Sequence, residues 1–316
     1  RLEETYPRVN MCPMGAGAIA TTSFPINRNR TAELLGFSKV HENSIDAVGS
    51  RDFILETSAN LTLLAVDISR IAEDLILWSS PDFGIIDLPE SFAFTSSIMP
   101  QKKNPDVLEV VRARMSQVLG NFLASATTMK ALPSGYNLDL QELTPKLWES
   151  LETVAGSLCM LSELAKNLNV NKDVFGKPVL KFATTTELAN MLVKKHNVPF
   201  RTSHKIVGAV VKTLLDKKLE LSELTPELLN KTAEDVAGIT LAVKLADIKD
   251  SVDPKKFVES HKAMGGPAPA EVKRMLKNRK QLTSQSKTSL KEQKSKLEKA
   301  DKQLKSVVQR YQSNKK

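Results

Sequence analysis

SRDFILETSANLTLLAVDISRIAEDLILW, residues 50–78, carries Phe53, Ile54, Leu61, Leu64, Ile68, Ile71 and Leu75 at three- and four-residue steps. That is the period of one apolar face of an α-helix. An uninterrupted helix of this length predicts a multi-helix bundle. Two further long helices are expected over residues 106–129 and 145–168, the second on Leu147, Leu151, Val154, Leu158 and Leu161. No segment sustains the period-two alternation of a strand, and aromatics are only 5% of the 316 residues. The expected class is all-α, a long-helix bundle.

At the entrance of the first long helix stand Asn43, Asp46, Arg51 and Asp52. N-capping and a salt bridge account for them better than contact with a substrate. Upstream, residues 1–12 read as the end of a helix. PMGAGAIATTSFPINR (residues 13–28) is a Gly- and Thr-rich loop without the GK[ST] ending of a phosphate loop. Its glycines suit tight turns near a ligand or a packed backbone. A short helix, residues 30–35, ends at Gly36.

Downstream of residue 168 the helices are shorter: 184–195, 199–216, 225–230 and 232–250 are expected. Three domains follow. Residues 1–168 form a central bundle, N-terminally incomplete and holding a loop at 81–105. Residues 169–268 form a smaller helical domain, and residues 269–316 a Lys-rich helical or coiled-coil extension.

The formal charge of +9 is uneven. Residues 269–316 hold fifteen Lys/Arg against four Asp/Glu, so the body is close to neutral. Leu276, Leu290, Leu297, Leu304 and Tyr311 recur by sevens, with Thr283 interrupting, as in a coiled-coil arm. Nucleic-acid binding through this tail is disfavoured, since no base-reading module accompanies the lysines. No run approaches the ~20 apolar residues of a membrane span. Cys12, Cys159 and four scattered histidines offer no metal-ligand spacing. The two cysteines fit a reducing compartment, and a cytoplasmic location is expected.

The chemistry concentrates in TSSIMPQKKNP, residues 95–105. Asn104 is expected as N-cap and Pro105 as first residue of the next helix, with Asp106 and Glu109 in its first turn. Hydroxyls (Ser96, Ser97) and ammonium groups (Lys102, Lys103) are thus delivered beside a helix N-terminus, where free N–H groups favour an anion. Serine hydrolysis lacks its G-x-S-x-G elbow here. Proton abstraction beside a carboxylate needs a base and cationic stabilisation of the dianion formed, and a closing loop would exclude water. On composition alone, a solvated capped loop remains the simpler account.

TSSIMPQKKNP resembles the signature G-S-x-x-M-x-x-K-x-N of the fumarase/aspartase superfamily, helical lyases that release fumarate. The QKKNP ending is similar to that of argininosuccinate lyases. So, in order, are PMGAGAIATTSFPINR, ENSIDAVGSRDF, AEDLILWSS, LPSGYNLDLQE, NVPFRTSHKIVG and AMGGPAP. The resemblance implies a carbon–nitrogen lyase of arginine biosynthesis that needs no metal or cofactor. It implies Ser96 as the proton-abstracting residue, and Lys102 and Asn104 as ligands of the succinyl carboxylate. Ser97 would shape the loop beside the substrate, and Tyr136 and Gln141 would contact its arginine part. It also implies a homotetramer whose active sites combine loops of three subunits.

Thr95 stands where the signature has glycine. Thr144 stands where a lysine is common, leaving Lys146 as a possible substitute. The family's Thr-His motif and Ser-Arg-Asn loop are absent, and none of His41, His196, His204 or His261 lies in such a motif. Alternatives are another fumarate-releasing lyase such as adenylosuccinate lyase, a non-catalytic crystallin-like helical scaffold, or an inactive fragment. Trimming after Leu276 is expected to leave the chemistry intact.

Overall fold

The computed structural model describes residues 1–99, 101–174 and 182–313. Pro100 of the signature, residues 175–181 of the expected domain junction and residues 314–316 of the tail lie outside the described residues. The chain divides into two units. The first comprises Arg1–Ser80, Ile86–Val170 and Lys287–Lys316, and the second Pro81–Ile85 and Asn171–Ser286. Among the described residues, extended structure is confined to two-residue bridges, and the class is all-α.

The first unit is built on α4 (Asp52–Ser79), α5 (Asp106–Met129) and α6 (Leu143–Asn167), preceded by α1 (Leu2–Val9), α2 (Arg28–Leu35) and α3 (Ser44–Gly49). The buried positions of α4 are Ile54, Ser58, Leu61, Ala65, Ile68 and Ala72. They alternate steps of four and three, the spacing of a coiled-coil seam. Leu108, Val111, Met115 and Val118 of α5 repeat the pattern, as do Ser150, Val154 and Ser157 of α6. Alanines and serines within the seams leave space for close helix approach. The Ser150 hydroxyl is satisfied inside its helix, donating to the Lys146 carbonyl at 2.8 Å.

Helix α6 begins at Leu143, two residues before the expected Pro145. A 3-10 turn over Leu138–Glu142 leads directly into it, and Pro145 sits in the first turn, where its missing N–H costs nothing. In the second unit, α7 (Thr185–His196), α8 (Phe200–Asp216), α9 (Pro226–Ala237), α10 (Leu245–Val252) and α11 (Pro254–Ser260) enclose a separate core that includes Leu188, Leu192, Ile206, Leu214, Leu229 and Ile248.

The expected helices 225–230 and 232–250 are not observed as such. Thr225 caps one continuous helix, which stops at Gly238 in the left-handed conformation. The Asn230 side chain then accepts from the Leu241 N–H at 2.6 Å, and this holds the chain out of helix until Leu245. Helix α11, absent from the expectation, starts at an Asp-Pro pair: the Asp253 carboxylate accepts from Lys255 and Lys256 N–H.

Helix α12 (Pro269–Ser313) runs through Thr283 without a break. The Thr283 hydroxyl donates to the Arg279 carbonyl at 2.9 Å, so the residue that interrupts the apolar seam does not interrupt the helix. At its start, Glu271 accepts from Arg274 and from the Gly265 N–H. Those bonds hold its carboxyl down to about 2.

Candidate functional site

The stretch 95–105 forms a hairpin. Phe94 and Thr95 pair antiparallel with Asn104 and Lys103. Across the turn, Ser96 N–H donates to the Lys102 carbonyl at 3.2 Å and Lys102 N–H to the Met99 carbonyl at 3.0 Å. This pairing overrides the expected cap. Asn104 is held as an extended hairpin residue, Pro105 occupies the N-cap position without a side-chain bond, and α5 starts at Asp106. The Asp106 carboxylate, one residue into the helix, accepts from the Phe94 N–H at 2.9 Å and ties the hairpin to α5.

Within the turn, the Ser96 oxygen accepts from the N–H groups of Ile98 (3.3 Å) and Met99 (3.1 Å). Ser96 is half-buried, while Ser97 and Lys102 are exposed, and Ile98 at the tip is 86% exposed. Lys103 points instead to Asp87, with Nζ 3.7 Å from Oδ1. The hairpin therefore gathers Ser96, Ser97, Lys102 and Asn104 at the start of α5, open to solvent.

Tyr136 and Gln141 meet elsewhere. Gln141 Nε2 donates to the Tyr136 hydroxyl at 2.7 Å, just beyond the end of α5. With 24 residues in α5 and 1.5 Å of rise per residue, the two groups are separated by a helix of about 36 Å. In one copy of the chain the hairpin and the Tyr136–Gln141 pair lie at opposite ends of that helix. Lys146 folds back onto Glu142, donating to its carbonyl at 3.0 Å, while Thr144 faces an apolar cavity with Leu147 and Trp148.

Beside the Tyr136–Gln141 pair lies a cleft of about 640 Å³ bordered by Asn43, Asp46, Arg51, Asp52, Pro133 and Gly135. The capping expected at the entrance of the long helix falls elsewhere: Asn43 Oδ1 accepts from Ile45 and Asp46 N–H and caps the short helix α3, while Arg51 at the N-cap of α4 makes no side-chain cap bond. The expected salt bridge takes another form. Asp46 faces His41 at 3.6 Å, and the Arg51 guanidinium donates to the carbonyls of Val48 and Ser50.

Not foreseen was the contact of Gly49 with the 133–135 turn. A Cβ on Gly49 would stand 2.7 Å from the Gly135 nitrogen, and Gly135 itself has φ +100. No spacing in the sequence signals that approach, because the two glycines are 86 residues apart. Gly49→Ala should therefore displace the turn that presents Tyr136, at a cost of about 1–3 kcal/mol. Urea unfolding and KM should both respond, and an unchanged midpoint with unchanged KM would contradict this packing.

The Gly- and Thr-rich loop borders the same end of the bundle. Ser44 Oγ donates to the Ile19 carbonyl at 2.6 Å, and Ile19 Cγ2 lies 3.3 Å from where a Gly135 Cβ would be. Among the described residues no group of three His, Cys, Asp or Glu is placed to hold a metal ion, and no helix is long and apolar enough to cross a membrane.

A seamed bundle of long helices, with a hydroxyl- and ammonium-bearing hairpin leading into one of them, is the architecture of a helical lyase. The family described as "Lyase" matches residues 1–120, and the one described as "Argininosuccinate lyase C-terminal" matches residues 182–259. The argininosuccinate lyase of Methanococcus aeolicus is 47% identical over 277 residues, covering 87% of this chain and 55% of its own length. That of Methanosarcina mazei is 41% identical, covering 98% and 63%.

In solved structures, EDDS lyase in complex with formate superposes with a TM-score of 0.92 at 32% identity, covering 98% of this chain and 62% of its own. A variant of that enzyme with bound fumarate gives 0.91 at 31% identity. The chain belongs to the argininosuccinate lyase family. It spans a little more than half of the length of these relatives.

Proposed function

We propose that this chain serves an argininosuccinate lyase that eliminates argininosuccinate to arginine and fumarate, in arginine biosynthesis in the cytoplasm. The observation that carries the reading is the Ser96 turn. Two backbone N–H groups aimed at one hydroxyl oxygen favour its deprotonated form, and the turn sits on a hairpin that also presents Lys102 and Asn104.

In this reading Ser96 Oγ takes the proton from the succinyl carbon next to the carboxylate. The electron pair moves into that carboxylate, and the resulting dianion is held by the Lys102 ammonium and the Asn104 amide, with Ser97 at the mouth of the loop. Return of the pair forms the carbon–carbon double bond and breaks the carbon–nitrogen bond. Arginine leaves with a proton from an acid outside the hairpin. Tyr136 and Gln141 would hold the arginine portion. The bound fumarate in the EDDS lyase variant supports fumarate as the product.

The 36 Å between hairpin and Tyr136–Gln141 pair supports a site composed from more than one copy, within a homotetramer. Exposed apolar residues on faces of the long helices turned away from the seams favour the same assembly. Leu63, Val66, Ile71, Leu119, Leu123 and Leu158 are all more than 40% exposed. Three helices alone cannot cover such faces, and helices of further copies would.

Release of fumarate, followed by ultraviolet absorbance with argininosuccinate and with adenylosuccinate in parallel, tests the assignment. Turnover of adenylosuccinate alone would replace it with the sister reaction. Release from neither substrate by an assembled oligomer would favour a crystallin-like scaffold.

A further inference from the structure

The Lys-rich helix carries a complete apolar seam only near its end. In its earlier turns the leucines alternate with polar partners: Arg279 after Leu276, Ser286 after Thr283, Gln293 after Leu290. From Leu297 onward, Ala300, Leu304 and Val307 complete the pattern, and within the first unit these turns are docked on α2. Ala300 is buried, the one residue of α12 that is. It faces Gly36, the left-handed C-cap of α2: a Cβ there would lie 3.1 Å from the Ala300 Cβ and 3.2 Å from Leu297 Cδ2. One turn on, Gln303 Nε2 donates to Glu33 Oε1 of α2 at 3.2 Å. Arg30 first, and Gln303 second, hold the Glu33 carboxyl below its usual range.

Helix α2 in turn anchors the loop that precedes it. Arg28, in its first turn, spans two separate segments: Nε donates to the Met14 carbonyl at 3.1 Å and Nη2 to the His41 carbonyl at 2.9 Å. The loop between Met14 and Arg28 is otherwise poorly covered, with Phe24 76% exposed. Its contacts with the cleft run through Ile19, and those of His41 through Asp46.

We infer that the last turns of α12, centred on Ala300 and Gln303, are a positioning element for the Gly- and Thr-rich loop, acting through α2 and Arg28. The tail is thus a brace for the rim of the cleft. Its removal is expected to leave the chemical step in place while loosening substrate binding. That last consequence rests on the proposed lyase reading, whereas the brace itself does not.

Hydrogen exchange separates the two. In the otherwise intact protein, Ala300→Arg forces a long side chain against Gly36, and Gln303→Glu sets a carboxylate against Glu33. Amide exchange across residues 13–28 should accelerate about tenfold in Ala300→Arg, with the long helices α4, α5 and α6 unchanged. A smaller acceleration is expected in Gln303→Glu, and combining it with Glu33→Gln should reverse that effect by restoring a donor–acceptor pair. In the fumarate assay the Ala300→Arg protein should show a several-fold higher KM with kcat changed less than about twofold.

Unchanged exchange over residues 13–28 in Ala300→Arg would overturn the brace. So would acceleration spread equally over α4, α5 and α6, which would mark general destabilisation. Faster loop exchange in a protein that releases no fumarate from argininosuccinate even before substitution would uphold the brace and remove only the lyase reading.

Discussion

Ser96→Ala is expected to lower kcat for argininosuccinate by roughly three orders of magnitude, within the span that a positioned acid–base group contributes. KM and oligomer size should change little. The hydroxyl is the only part of Ser96 that alanine lacks. The backbone bond from Ser96 N–H to the Lys102 carbonyl, and the Phe94–Asn104 and Thr95–Lys103 pairing, do not depend on it. What is lost locally is the acceptor for Ile98 and Met99 N–H in an exposed turn, where water replaces it. Fumarate absorbance gives kcat and light scattering gives the assembly. A variant that kept more than a tenth of the parent kcat would remove Ser96 as the base.

The second large effect comes from mixing variants. Ser96→Ala disables the hairpin at one end of α5, and Gln141→Ala disables the Tyr136 partner at the other. Each alone should be nearly inactive. If one site takes its hairpin and its Tyr136–Gln141 pair from different copies, subunits mixed after dissociation should regain activity. Random assortment from an equal mixture leaves both parts intact in about one quarter of sites. If a single copy supplied both parts, no mixture would recover anything. The length of α5 argues for the first outcome, because about 36 Å is far beyond the reach of one small substrate. Recovery is read as kcat per total subunit after co-refolding, against each variant refolded alone.

Helix-level features were legible wherever the information is local. The period of α4 is written in Ile54, Leu61 and Ile68, and its boundaries fall within two residues of expectation. Gly36 was readable as a stop, because a left-handed C-cap acts within four residues, whereas Asn43, expected at the entrance of the long helix, caps the short α3 ahead of it. The same local logic failed at Asn104. A good N-cap residue before a proline was outcompeted by strand pairing with Phe94, whose N–H is bonded by Asp106. It failed again after Gly238, where Asn230 reaches eleven residues forward to hold Leu241.

The candidate site divides in the same way. Residue types at 96, 97, 102 and 104 offered hydroxyls and cations to an anion, only the resemblance gave them roles, and the strand pairing that brings them together was not expected. By itself, then, the sequence determined an all-helical lyase bundle and the groups its central loop offers to an anion. Only the tertiary structure decided where those groups stand. It put Tyr136 and Gln141 a helix length away from Ser96, pressed Gly49 onto Gly135, and set Ala300 against Gly36. Such contacts join segments tens to hundreds of residues apart. They depend on which faces of long helices meet, and no periodicity within one segment encodes that choice.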